Sequence, residues 1–103
     1  MRVYDLLSIA PGVQETAGAS STAFVIPNGP DGVPARRVAV RVVTASETMY
    51  VLPVAVGGAV TAETGLPVAK ETPVILNVMG YPRLAALRAG GADVVFNITP
   101  IAD

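Results

Sequence analysis

The sequence predicts an all-β protein: a small antiparallel β-sandwich, jelly-roll-like, with an extended N-terminal arm. Two observations carry that expectation. Short apolar runs recur at roughly 10-residue spacing, bounded by Gly, Pro, Asn or Asp, which is the pattern of sandwiches and barrels. One run, "RRVAVRVVT" (residues 36–44), alternates Val38, Val40 and Val42 with Arg37, Ala39 and Arg41. That is period two, with one apolar face and one basic-to-neutral face.

Residues 1–9, "MRVYDLLSI", are mostly apolar with one carboxylate, Asp5, and too short to decide between helix and strand. "APGVQETAGASS" follows, small and polar, with Pro11–Gly12 as a turn signal. Residues 1–21 therefore read as an arm with a flexible connection, and residues 22–103 as the sandwich. The same residues are also compatible with a first strand and a loop of one core.

The body opens with a short strand, "TAFVIP" (22–27), and then "NGPDGVP" (28–34), whose Gly, Pro, Asn and Asp demand a turn or exposed loop. After the alternating strand comes "SETMYVLPVAV" (46–56). Met49, Val51 and Pro53 point one way; Tyr50, Leu52 and Val54 point the other. Pro53 has no N–H to give a ladder, so this strand is expected at an edge or broken there. "GGAVTAETG" (57–65) is a wide loop or a weak strand. Residues 66–68 are a short extended piece, residues 70–72 a turn, and residues 74–79 a buried strand ended by Gly80.

"PRLAALRAGGADVVFNI" (82–98) admits two readings. Pro82 suits a first helical turn, Leu84, Leu87 and Arg88 have helical spacing, and Gly90 suits a cap. Such a helix would span under two turns, marginal in isolation. As a strand, Leu84 and Ala86 face one side and Ala85 and Leu87 the other. Residues 89–92 then form a hairpin loop into "DVVFNI", with Val94, Phe96 and Ile98 on the core side. The upstream run of short strands favours the strand.

The chain has 103 residues, enough for one domain that buries roughly 60–70% of its unfolded surface. Charged residues are 15% of the sequence against about 25% in an average domain, so some apolar surface is expected to meet another chain. Net charge is −1, which gives no basic field for nucleic acid. There is no cysteine, hence no disulfide or thiolate metal site. There is no histidine, which removes the commonest general base and transition-metal ligand together. The opening residues do not read as a secretory signal, and no apolar run approaches the roughly 20 residues of a membrane helix.

The remaining residues point away from catalysis, so no enzyme activity and no cofactor are expected. No GxGxxG follows a strand, and Gly57–Gly58 and Gly90–Gly91 suit β loops instead. The acidic residues are spread out, and the loop holding Asn28 and Asp31 lacks the alternating acids and terminal Glu of a calcium loop. Ser20, Ser21 and Ser46 have no histidine to activate them, and Lys70 beside Glu71 reads as a solvated turn lysine. The "NIT" sequon at residues 97–99 lies in strand sequence. Arg37 and Arg41, with Arg36 at the strand's start, form either a partner-docking strip or ordinary solvent cover. The apolar arm either adds a strand to a neighbour's sheet or covers its own.

From Arg36 onward the sequence resembles small virion proteins of tailed bacteriophages. The matching pieces are "RVAVRVVT", the Tyr50–Val51 strand, "AVTAETGLPV", "ETPVILNV", "RLAAL" and "ADVVFNITP". They carry sandwich patterning in a preferred order and no catalytic signature. The resemblance implies a jelly-roll-like sandwich and a capsid decoration (cement) protein, made in the bacterial host cytoplasm and seated on the capsid exterior. Its implied partners are the major capsid protein and copies of itself, with no nucleic acid, membrane or small-molecule substrate. By surface character, the expected contacts are Val3, Tyr4, Leu6, Leu7 and Ile9 on the arm and Arg36, Arg37 and Arg41 as charged anchors. A neck or tail component is the alternative, and a carbohydrate-binding adhesin domain a third, weakened by having only three Tyr and two Phe.

Overall fold

The computed structural model describes residues 8–9, 11–29, 32–44, 47–70 and 72–102. Among them are nine strands and no helix: β1 (Ser8–Ile9), β2 (Val13–Ala17), β3 (Thr22–Val25), β4 (Arg37–Val42), β5 (Thr48–Val54), β6 (Leu66–Ala69), β7 (Val74–Asn77), β8 (Arg83–Arg88) and β9 (Val94–Ala102). They build two antiparallel sheets packed face to face. The front sheet runs β2–β9–β4–β7, with β1 sharing the β2 side of β9; the back sheet runs β3–β8–β5–β6. Pairing is nested: β2 with β9, β3 with β8, β4 with β7, β5 with β6. The chain is an all-β sandwich, as the strand patterning predicts.

The core follows from alternation. Val38, Val40 and Val42 of β4 and Val94, Phe96 and Ile98 of β9 are buried from the front sheet. Met49 and Val51 of β5, Val68 of β6, and Leu84 and Ala86 of β8 meet them from the back. Phe24 and Phe96 join the layers edge to face, with centroids 5.4 Å apart and planes at 75°. Among the described residues no charged or polar residue is fully buried, so dispersion and the hydrophobic effect hold the layers together.

Residues 83–88 are a strand, and the helix reading falls away. With strands on both sides, β8 gains two ladders where a short helix would have been unsupported. The hairpin expected at residues 89–92 is corrected. β8 pairs with β3 and β5, and β9 with β1, β2 and β4, so these residues cross between sheets. Pro53 is also reassigned. Its strand is interior, but β6 pairs only as far as Val51, so Pro53 has a ladder neighbour on one side alone, Leu84. The strand at residues 74–79 is shorter and more exposed than expected. β7 stops at Asn77 on the sheet edge, with Ile75 37% exposed, although Val78 beyond it is buried. Within the stretch read as arm and connection, Val13–Ala17 form a strand on the chain's own β9, in register from Val13 opposite Ile98 to Ala17 opposite Val94.

Candidate functional site: the outer face of the front sheet

Strand register determines which side chains share the outer surface of the front sheet. Gln14 of β2 lies opposite Asn97 of β9, and Asn97 opposite Arg41 of β4. One step on, Thr99 lies opposite Ala39, and Ala39 opposite Ile75. One more step places Arg37 beside Asn77 on one side and the buried Ile101 on the other. Arg37 and Arg41 are exposed and four residues apart on β4, so alternation puts both on this side. Arg36 is held next to the end of β7, its carbonyl accepting the Val78 N–H at 2.7 Å. Among the described strand positions on this face there is no carboxylate; Glu15 has the opposite parity on β2.

Two shallow depressions open on the face. Gly12, Val13, Gln14, Asn97 and Thr99 line one of about 210 Å³. Arg36, Arg37, Asn77 and Met79 line another of about 140 Å³. Gly12 is needed at the first, because a Cβ there would collide with the Ile98 carbonyl oxygen and Thr99 Oγ1. The surface offers guanidinium and amide donors with hydroxyls between them. It suits the carboxylates and backbone carbonyls of a partner, with arginine able to bind a carboxylate in bidentate fashion.

The structure places Arg37 and Arg41 on the outer side of β4, with Arg36 just before the strand and sharing a depression with Arg37. Val3, Tyr4, Leu6 and Leu7 lie outside the described residues. Ile9 lies in β1, opposite Ile101.

One feature escaped sequence reasoning. At the end of the sandwich where β3 passes to β4 and β7 to β8, a cleft of about 230 Å³ runs between the two connections. Val25, Pro34, Tyr81 and Arg83 are among its lining, and Val25 and Tyr81 are 60% and 50% exposed. The readable signal was "GYP" at residues 80–82, which places an aromatic in a turn. Gly80 there has φ +87°.

The residues weighed for chemistry take structural parts. Ser21 Oγ accepts the Val60 N–H at 2.9 Å. Asn28 bridges to Pro34, closing a loop in which Gly29 donates to the Val33 carbonyl at 2.8 Å; Asp31 and Ser46 lie outside the described residues. Lys70 is exposed at the end of β6. Asn97 is half-buried in mid-strand. Among the described residues no group of His, Cys, Asp and Glu could hold a metal ion. Compared with protein-family models, curated proteins and solved structures, the chain shows no match.

Proposed function

We propose that this chain is a structural virion protein that binds the assembled shell of a tailed bacteriophage from outside and stabilises it, as a decoration or cement protein. The observation that carries the reading is the outer face of the front sheet, where Arg37 and Arg41 of β4, with Arg36 at its start, stand among amides and hydroxyls. The resemblance over residues 36–103 supports it. So does the nested strand order, which we read as a jelly roll, an architecture used by viral capsid proteins.

The mechanism is thermodynamic and non-catalytic. A protein that binds the assembled lattice and not its free subunits stabilises the lattice by mass action. Many copies, each with modest affinity, add their contributions across the shell. The partners are the major capsid protein and further copies of this chain. Nucleic acid, membrane and small molecules have no part in it. The arginine face meets acidic and carbonyl-rich surface on the capsid, setting both orientation and encounter rate.

The test is co-sedimentation with purified capsid shells stripped of accessory proteins, followed by counting copies per particle. Saturation at many copies per shell is the expected result. Arg41→Glu should weaken binding on the order of tenfold or more by reversing a contact charge. Saturation at one ring per particle would replace the cement reading with a neck or tail role, and no sedimentation with any particle would end it.

A further inference from the structure

The connection from β5 to β6, residues 55–65, folds back over the outer face of the back sheet. That face is apolar: Tyr50, Leu52 and Val54 of β5, Ala85 and Leu87 of β8, and Ala23 of β3. Val60 is pressed onto it and is only 2% exposed, while Ala85 beneath is fully buried. This is a second, smaller core on the far side of the sheet from the main one. Uncovered, it would be a contiguous apolar patch of the kind that drives association.

We propose that residues 55–65 are a releasable strap, latched by Val60 and Ser21, whose opening bares this face without unfolding the sandwich. This inference is independent of the capsid reading. Three observations carry it. First, Val60 is the strap's single buried residue; Val56, by contrast, is 70% exposed. Second, among the described residues one hydrogen bond ties residues 55–65 to the rest of the chain, from the Val60 N–H to Ser21 Oγ at 2.9 Å. Third, the strap's other bonds are its own. Gly58 donates to the Ala55 carbonyl at 2.9 Å and Gly65 to the Thr61 carbonyl at 2.9 Å. Thr61 N–H donates to Thr64 Oγ1 at 3.0 Å. Two closed turns thus flank the latch and can move as units. Gly65 seats the strap closely when it is latched: a Cβ there would stand 2.6 Å from Val60 Cγ2 and 2.7 Å from Tyr50 Cβ. A latch of one valine and one hydrogen bond belongs to the low end of local opening free energies.

Amide hydrogen exchange on the full chain tests this. Protected amides of residues 58–65 should exchange through a local opening with little denaturant dependence, well ahead of those of Val40 and Phe96. Ser21→Ala removes the acceptor and should speed exchange of the Val60 amide by roughly fivefold to tenfold, the equivalent of one ordinary hydrogen bond. Val60→Ala should speed the whole strap further and raise uptake of an apolar fluorescent dye, while exchange in β4 and β9 stays unchanged. If the Val60 amide exchanges only with the global core, or if Ser21→Ala leaves its rate untouched, the strap is a fixed part of the fold and the proposal is wrong.

Discussion

At the residue scale, the glycines separate into those the fold needs and those it tolerates. Gly12 lets the chain run against β9, and a methyl there would press first on the Ile98 carbonyl, which cannot swing aside as a side chain can. Gly91, in the crossover between β8 and β9, has no atom within 4 Å of where a Cβ would stand. Gly12→Ala should therefore cost about 1–3 kcal/mol, as overpacking does. Gly91→Ala should be neutral or stabilise by up to about 1 kcal/mol, because it narrows only the unfolded ensemble. Urea unfolding of the two variants beside the parent chain checks both. Equal effects would mean that the approach of Gly12 to Ile98 is not tight. The ion pair between Arg88 and Asp93, at 2.7 Å, is partly solvated and contributes little beside these steric effects.

At the element scale, the deciding feature is that no strand near the C-terminus pairs with its sequence neighbour. Residues 89–93 carry the chain from one layer to the other. Backbone NMR contacts should link Leu84 to Phe24 and to Pro53, and Ile98 to Val13 and to Val40. Direct backbone contacts between β8 and β9 would refute the sandwich and restore the hairpin. The alternating residues of β4 were legible because side-chain direction is local: each residue on a pleated strand points opposite to the last. That alternation sufficed to put Arg37 and Arg41 on a common face. The amides beside them were not legible. Gln14, Asn97 and Arg41 are far apart in sequence, and only register makes them one row. Pro53 shows the same limit, since its missing donor is harmless only because β6 ends before reaching it.

At the scale of the whole molecule, the two layers share one main core, and Phe96 with Phe24 pins it from both sides. Phe96 is fully buried. Phe96→Ala should lower stability by about 3–5 kcal/mol. That is a large share of the roughly 5–15 kcal/mol available to a domain. Circular dichroism during urea unfolding should show one cooperative transition with its midpoint moved far down. A second, separate transition would mean that the sheets unfold independently. The strap lies outside this core, so its loosening should leave the midpoint nearly unmoved.

The sequence by itself determined that this chain is made of short strands, where most of them lie, and which residues of each face inward. Those are properties of a few consecutive residues, set by side-chain alternation and by the backbone limits of Gly and Pro. The tertiary structure alone decided which strands pair, that Val13–Ala17 complete the front sheet, that an apolar cleft opens between two distant connections, and that Val60 covers the back. Each of these depends on partners tens of residues away, and an apolar strand is equally content beside any neighbour of matching length. Only the closing of a common core selects among them.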